Sequence, residues 1–173
     1  MLTAQTLDLF SDVIEPAIFK NETAWRFIDL FAGIGGFHVA LHSIGGECVF
    51  ASEKDTHART TYAANLGIAN NVFNDDIRKI SPDDVPEHDI LCAGFPCQPF
   101  SQAGHKKGFA DGENSERGNL FYCILDILEA KRPKAFILEN VRHLIAHDEG
   151  KAFATILKHL ADANYEVSYK IIK

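Results

Sequence analysis

Long hydrophobic runs are missing from this sequence. No apolar stretch approaches the about 20 residues that a membrane-spanning helix needs, and the opening residues MLTAQTLDLF lack the basic start and apolar stretch of a secretory signal. Cysteine is also scarce, because the four cysteines among 173 residues form no CxxC pair. These absences argue against a membrane protein, a disulfide framework and a zinc ribbon. They predict a soluble protein of the cytoplasm.

Positive charge is the other deficit. The chain has 17 Lys and Arg residues against 24 Asp and Glu residues, which gives a net charge of -7. Proteins that grip nucleic acid unaided ordinarily cluster Lys and Arg on one surface. Here basic residues are grouped only at 105–107, at Arg117 and at 131–134, and we interpret the last group as solvated surface. The sequence therefore provides little of the positive surface that would hold a duplex by itself.

Short apolar runs alternate with helical stretches from residue 25 onward. The predicted strands cover residues 25–33, 47–53, 71–77, 88–96, 134–141 and 165–173, and the predicted helices cover 35–45, 55–66, 118–131 and 148–164. This alternation predicts an α/β fold with a mainly parallel sheet and helices on both faces. Residues 1–24 stand apart from the pattern and are interpreted as an N-terminal extension.

Acidic residues and glycines follow successive predicted strands, where ligands collect in parallel sheets. The first strand ends in Asp29 and the turn LFAGIGG, whose glycines let the backbone approach a ligand. Glu53 ends the second strand 20 positions after Gly33, a spacing at which an acid takes the ribose hydroxyls of a nucleoside. Asp76 ends the third and could accept a hydrogen bond from an adenine amino group. Together they predict an adenosine-type site.

The glycine turn indicates which adenosine cofactor the site would take. NAD prefers the fuller GxGxxG pattern, whereas this turn has His38 at the last glycine position. S-adenosylmethionine has no pyrophosphate to cradle and tolerates a looser turn. The pattern therefore favours S-adenosylmethionine.

Cys97 lies between two prolines in the segment GFPCQPFS, directly after the fourth predicted strand. One interpretation is a small apolar residue at the end of a core strand. The other is a thiolate that the prolines hold in place for covalent catalysis, facing Glu139 at the end of the fifth strand. For Glu139 alone, a solvated or helix-capping carboxylate is the alternative.

The motifs DLFAGIGGF, the Glu53 strand end, GFPCQPFS, RGNLFY and ENV occur in this order. In this order they resemble the N-terminal motifs of the cytosine-C5 DNA methyltransferases of bacterial restriction-modification systems and of eukaryotes. The resemblance runs from about Arg26 to the end of the chain, and Pro-Cys-Gln with Glu-Asn-Val is its specific part. It implies a Rossmann-like, S-adenosylmethionine-dependent methyltransferase fold.

The resemblance also implies a mechanism. Cys97 would add to C6 of cytosine while Glu139 protonates N3, after which C5 attacks the methyl group of S-adenosylmethionine. Loss of the C5 proton and elimination of Cys97 would release the product. Because C6 is buried in a duplex, the base must first be swung out of the stack.

Further residues take roles from the family pattern. The resemblance implies cofactor contacts from Phe31, Ala32, Gly33, Ile34, Gly35, Glu53, Asp76, Ile77, Pro96 and Leu120. It also implies a loop that closes on double-stranded DNA, with contacts from Gln98, Ser101, Lys106, Lys107 and Arg117. The acidic stretch 111–116 leaves the pairing of the loop residues open. No metal is expected.

The family pattern continues beyond what this sequence contains. No Gln-x-Arg-x-Arg element, target recognition region or C-terminal cofactor helix follows the predicted strand at 165–173. We therefore expect residues 25–173 to be the N-terminal part of a catalytic domain, as a split subunit, a truncated product or a remnant that only binds cofactor. In the first case a second subunit would carry the recognition region. An RNA substrate stays open, and an active DNA enzyme would be associated with the nucleoid.

Two other classes share parts of the pattern. A nicotinamide-dependent oxidoreductase would have the same fold and ribose acid without needing Pro-Cys-Gln. A redox switch between Cys92 and Cys97 is disfavoured, because alternation along a strand sends residues five apart to opposite faces. The histidine pairs at 38 and 42 and at 143 and 147 have metal-binding spacing without a third ligand, and we interpret them as exposed.

Overall fold

A single parallel sheet organises the computed structural model, which describes residues 25–67, 73–96 and 120–172. Its strands are β1 (Arg26–Leu30), β2 (Glu47–Ser52), β3 (Phe73–Asn74), β4 (Ile90–Gly94) and β5 (Ala135–Glu139). Every neighbouring pair is parallel, and the strand order is β3-β2-β1-β4-β5. The first five predicted strands and the parallel sheet are confirmed.

Helices cover both faces of this sheet, as the alternation predicts. The helices are α1 (Gly36–His42), α2 (Thr56–Leu66), α3 (Leu120–Lys131) and α4 (Lys151–Asp162). On one face, Phe27 and Cys92 pack with Leu41 of α1, and Ala51 packs with Tyr62 of α2. On the other face, buried residues of β1 and β4 share one cluster with α3 and α4. The central strands are therefore shielded from water on both sides, as parallel sheets require, whereas Ile137 of the edge strand β5 stays 42% exposed.

Local sequence explains where these helices form and end. The buried residues of α4 are Ala152, Ile156 and Leu160, which lie four positions apart and so occupy one face. Burying an Ile or Leu side chain stabilises the fold by about 1.5–3 kcal/mol. Helix α2 begins after Asp55, whose carboxylate accepts a 2.7 Å hydrogen bond from the Ala58 N–H. It ends at Gly67, which has the left-handed φ of 60°.

The sixth predicted strand is wrong, because residues 165–172 form no strand. Tyr165 is fixed by its side chain, which donates a 2.9 Å hydrogen bond to the Pro133 carbonyl and packs edge-on against Phe136. Tyr169 packs in the same manner against Phe153. Alternating apolar residues show which side of a segment is buried, but a strand also needs a neighbour to complete its hydrogen-bond ladder. None of the described segments pairs with residues 165–172.

Within the ranges that the structure describes, no helix is long and apolar enough to cross a membrane. The longest, α3 and α4, have 12 residues each.

Candidate functional site

The turn between β1 and α1 has an unusual backbone. Phe31, Gly33 and Gly35 have φ angles of 56°, 55° and 98°, in the left-handed region that costs most residues energy. At Gly35 a side chain is excluded by space as well, since a Cβ atom would meet the Tyr62 ring at 3.0 Å and collide with Leu66. The Gly35 N–H donates to the Ala32 carbonyl at 2.9 Å, which closes the turn. Its shape therefore depends on glycine at position 35.

Glu53 joins this glycine turn to the end of β2. Its Oε2 accepts a 2.9 Å hydrogen bond from the Gly33 N–H, and its Oε1 accepts one of 2.7 Å from the Asp55 N–H. The Arg59 guanidinium donates to the backbone carbonyls of Glu53 and Lys54 at 2.9 and 3.0 Å. Both the carboxylate and the backbone of Glu53 are thus fixed before any ligand arrives. Each carboxylate oxygen keeps a lone pair for a ligand.

Asp76 is buried at the end of β3, and its carboxylate is paired with Arg78. Arg78 Nε donates to Oδ1 at 2.9 Å, and Arg78 Nη2 donates to Oδ2 at 2.6 Å. The hydrogen bonds from Arg78 lower the pKa of Asp76 to about 2, against the opposing effect of burial. The sequence indicated Asp76 as an acceptor but not this arginine partner.

A chain of polar contacts ties the ends of β2 and β3 together. Asn74 Oδ1 accepts from the Ser52 hydroxyl at 3.2 Å and from the Asp76 N–H at 3.0 Å. The Asn74 carbonyl accepts from the Glu53 N–H at 3.1 Å. These contacts hold the two acids at a fixed separation, although β3 itself is only two residues long.

A cavity of about 430 Å³ lies among these strand ends. Six of the ten predicted cofactor residues line it, namely Phe31, Glu53, Asp76, Ile77, Pro96 and Leu120. The other four, Ala32, Gly33, Ile34 and Gly35, lie in the turn beside it but outside its lining. Sequence reasoning missed Ser52, Lys54, Arg78, Gly94 and Phe95, which also line it. Their positions next to a strand-end motif are the signal that could have indicated them.

Glu139 ends β5 and lies beside β4. It is in register with Gly94, and a Cβ atom at Gly94 would be 3.6 Å from the Glu139 carboxylate. The next residue, Asn140, donates a 2.6 Å hydrogen bond from Nδ2 to the Phe95 carbonyl. The Glu-Asn-Val element is therefore attached to the segment that leads towards Cys97. Missing side-chain bulk at Gly94 leaves the carboxylate accessible.

A second cavity, of about 510 Å³, opens on the other side of Phe95. Glu139 lines this cavity and not the smaller one, whereas Phe95 lines both. The predicted cofactor acids, Glu53 and Asp76, therefore lie in one cavity, and the predicted catalytic acid lies in the other. Phe95 forms part of the wall of both cavities.

The remaining predicted residues lie outside the described residues. These are the predicted nucleophile Cys97 and the predicted DNA or loop contacts Gln98, Ser101, Lys106, Lys107 and Arg117. Pro96, the residue before Cys97, is described and is exposed at the cavity edge.

A buried polar cluster lies beneath the glycine turn, on the α1 and α2 side of the sheet. The Tyr62 hydroxyl is 2.8 Å from His38 Nδ1 and 3.8 Å from the Cys48 sulfur. Asp29 is fully buried close by, next to the His38 backbone and the Tyr62 hydroxyl, although within the described ranges neither of its carboxylate oxygens has a hydrogen bond of regular geometry. Burial raises the pKa of Asp29 to about 7 and lowers that of His38 to about 4. The interpretation of His38 as exposed is therefore wrong.

Metal-ligating side chains are not grouped in the part of the chain that the structure describes. The rings of His143 and His147 lie 5.7 Å apart, as their spacing predicts, and those of His38 and His42 are 5.8 Å apart. No described His, Cys, Asp or Glu completes either pair as a third ligand.

Residues 25–173 match the protein family described as C-5 cytosine-specific DNA methylase. The chain is 51% identical over 147 residues to the Type II methyltransferase M.DsaV of Dactylococcopsis salina, covering 85% of this chain and 40% of that protein. It is 45% identical over 177 residues to the DNA-cytosine methyltransferase of Escherichia coli K12, covering 89% and 38%. The chain thus spans less than half the length of these curated relatives.

Solved structures support the same fold. A Spodoptera frugiperda DNMT2 variant matches with a TM-score of 0.57 and 26% identity, over 79% of this chain and 41% of that one. An Escherichia coli prophage DNA modification methyltransferase matches with a TM-score of 0.62 and 21% identity, over 80% and 38%. The predicted methyltransferase fold, a parallel sheet with helices on both faces, is confirmed.

Proposed function

Because this chain belongs to the C-5 cytosine-specific DNA methylase family, we propose that it contributes the cofactor-binding and catalytic residues of a DNA cytosine methyltransferase. The enzyme would transfer a methyl group from S-adenosylmethionine to C5 of cytosine in double-stranded DNA, within a restriction-modification system. Residues 25–173 would form the N-terminal part of its catalytic domain, with residues 1–24 as an extension. A second polypeptide would supply the recognition region.

The observation that carries this proposal is that Glu53 and Asp76 line one cavity, with Glu53 fixed by the Gly33 N–H of the adjacent glycine turn. S-adenosylmethionine, the methyl donor of this family, supplies an electrophilic methyl group when it is bound. The residues present fit an adenosyl group, since Glu53 has lone pairs for ribose hydroxyls and Asp76 is a buried, ionised acceptor for an amino group. Phe31, Phe95 and Leu120 give the cavity apolar walls for a purine ring.

Glu139 is the described residue best placed to act on the target base. It lines the cavity that adjoins the cofactor cavity, and it sits at the end of a strand whose neighbour leads to Cys97. A carboxyl group there would hydrogen-bond and protonate N3 of cytosine as the Cys97 thiolate adds to C6. Protonation of N3 lets the ring accept the electron pair of the thiolate at C6, and the enamine that forms is nucleophilic enough at C5 to attack a methyl group.

Charge supports the proposed need for a second polypeptide. Holding a flipped base requires contacts that offset an unstacking cost of a few kcal/mol. A chain with a net charge of -7 has few groups for that task. Lys106, Lys107 and Arg117 would contribute the local contacts near the base, and the partner would contribute most of the grip.

The proposal is tested by trapping the covalent adduct. The chain is combined with S-adenosylmethionine, with a candidate partner that carries a Gln-x-Arg-x-Arg element and a recognition region, and with a duplex containing 5-fluorocytosine at the target. After methyl transfer to C5, fluorine cannot leave as the proton does, so the adduct persists. We expect a methylated protein–DNA adduct on Cys97 by peptide mapping, and none with Cys97→Ser. An adduct on Cys92 or Cys123 would overturn the assignment of the nucleophile.

A cofactor-binding remnant and a nicotinamide oxidoreductase predict different results in two simpler assays. A remnant would bind S-adenosylhomocysteine but give no adduct with any partner. An oxidoreductase would bind NAD in a spectroscopic titration, whereas the proposed enzyme would not.

A further inference from the structure

Arg78 has no role in the function proposed above, yet it forms part of the cavity wall and occupies both oxygens of Asp76. We propose that Arg78 is a positioning residue that holds Asp76 as a permanent acceptor and so selects purine ligands that carry a 6-amino group. This inference rests on the proposed function, because it assumes that the cavity binds the adenosyl group of the cofactor.

The geometry of the pair is that of a two-point fork. Nε and Nη2 of one guanidinium each meet a different oxygen of one carboxylate, which fixes the plane of the carboxylate as well as its position. The Arg78 backbone N–H adds a 3.2 Å contact to Oδ1. Three donors from one residue therefore leave Asp76 a single orientation.

The two members of the pair also differ in exposure, since the Asp76 carboxylate lies inside the protein and the Arg78 guanidinium lies towards solvent. The Asp76 side chain is 9% exposed, whereas that of Arg78 is 39% exposed. Desolvation alone would push a buried carboxyl towards its neutral form, which can donate a proton. Arg78 reverses this tendency, and the pKa of Asp76 falls to about 2. At neutral pH, Asp76 is consequently an acceptor only.

An acceptor that cannot become a donor discriminates between purines. A 6-amino group donates to it, whereas a 6-oxo group brings two acceptors together and a bare C–H leaves the carboxylate without a ligand bond. Sites that use a buried polar group to hold a ligand hydrogen reject analogues that lack it. Without Arg78, the Asp76 carboxyl could rotate and take up a proton, and this discrimination would weaken.

The position of Asp76 does not depend on Arg78 alone. Its backbone N–H donates to Asn74 Oδ1 at 3.0 Å, and Asn74 is also held by Ser52. Removal of the Arg78 side chain should thus leave Asp76 at the same place in the chain. What changes is the orientation and charge of its carboxyl group.

The test compares two ligands on four forms of the full chain by calorimetry. The ligands are S-adenosylhomocysteine and its analogue with hydrogen in place of the 6-amino group. The protein forms are the parent, Arg78→Met, Arg78→Lys and the control Lys79→Met, which removes a neighbouring exposed cation paired with Asp75. Thermal melts establish that each form is folded.

We expect the parent to prefer the 6-amino ligand by about tenfold, the value of one charge-assisted hydrogen bond. Arg78→Met should reduce this preference to about twofold or less, mainly by weaker binding of the 6-amino ligand. Arg78→Lys should restore part of the preference, and Lys79→Met should keep all of it. Equal losses for both ligands in Arg78→Met would overturn the inference while leaving the proposed function intact. Failure of the parent to bind either ligand would instead remove the proposed function and this inference with it.

Discussion

The Gly33 N–H donates a 2.9 Å hydrogen bond to the carboxylate of Glu53, a residue 20 positions later that directly follows the neighbouring strand β2. This bond makes two motifs into one unit, since the glycine turn fixes the acid and the acid fixes the turn. A ligand that reaches both therefore meets a site that is already organised. Preorganisation of this kind increases affinity because little has to be ordered on binding.

Substitution of Glu53 by glutamine should disturb both partners of the bond. A glutamine amide has one oxygen for the two N–H donors of Gly33 and Asp55, so its NH₂ group must face one of them. We expect the affinity for S-adenosylhomocysteine to fall about tenfold or more, measured by calorimetry. Glu47→Gln changes an exposed acid at the opposite end of β2, and this variant should bind as the parent does. Equal heats for Glu53→Gln and the parent would contradict the site.

Adjacent glycines in the turn should differ in their tolerance of alanine. Gly35→Ala would place a methyl group against Tyr62 and Leu66 at a φ of 98°, so it should destabilise the fold by about 2 kcal/mol or more. Gly36→Ala meets nothing within 4 Å at the start of α1, and it should be neutral or stabilising by up to about 1 kcal/mol. Urea unfolding of both variants measures the difference. Similar losses at both positions would refute the packing argument.

Stability should depend on pH through Asp29. Its pKa is raised to about 7 from an ordinary 3.8, so the unfolded chain releases this proton more readily than the folded chain does. Stability from this group is therefore lost as pH rises from about 4 to about 7. Asp29→Asn should raise stability relative to the parent by on the order of 2 kcal/mol more at pH 8 than at pH 5.

His38 in the same cluster acts in the opposite direction. Its lowered pKa, about 4, means that the stability it contributes above its ordinary pKa of 6.5 is lost as pH falls towards 4. The difference between Asp29→Asn and the parent isolates Asp29 from this effect, and the exposed Asp84→Asn serves as the control. A pH-independent difference would show that the Asp29 carboxyl titrates normally.

Glu139→Gln should separate catalysis from cofactor binding. The amide cannot protonate N3, and general acid catalysis contributes about 10²- to 10⁴-fold. We expect a loss in that range in a radiolabelled methyl-transfer assay with the partner present, and unchanged affinity for S-adenosylhomocysteine, because Glu139 does not line the smaller cavity. The exposed Glu129→Gln on α3 should retain full rates. Loss of cofactor affinity in Glu139→Gln would show that Glu139 contributes to the cofactor site, which would contradict its assignment to the target base.

The chain without a partner should bind the cofactor but turn over poorly. Its net charge of -7 means that it has few cationic side chains to bind the phosphates of a duplex. Mixed-sequence DNA in the methyl-transfer assay, with and without the candidate partner, measures this. Robust turnover by the chain alone would refute the need for a second polypeptide.

Sequence periodicity predicted the elements better than it predicted their partners. Strand-length apolar runs gave β1 to β5, because each run has a neighbour to pair with. The run at 165–173 has equally good alternation, but its described residues have no ladder. Pairing depends on which segments meet in space, and periodicity within one segment carries no information on that.

For the candidate site, too, the sequence predicted which residues take part but not which residues they contact. Glu53 and Asp76 were predicted from their place after strands, and the structure puts both at one cavity. The contacts from Gly33 to Glu53 and from Arg78 to Asp76 were not predicted, since they depend on backbone direction and rotamer. His38 was misjudged because metal-like spacing on a short helix does not show that its polar face meets the buried Tyr62 hydroxyl.

The strand order also determines when during synthesis the site comes into being. β1 pairs with β2, which follows it closely in the sequence, and with β4, which is synthesised only after β3. Glu53 and Asp76 come from the first half of the sheet, whereas Gly94, Phe95 and Leu120 come from the second. Contacts between distant segments form late because they close longer loops. A nascent chain on the ribosome thus carries both acids before the residues that complete the cavity have been synthesised, and ligand affinity would report that the two halves of the sheet have joined.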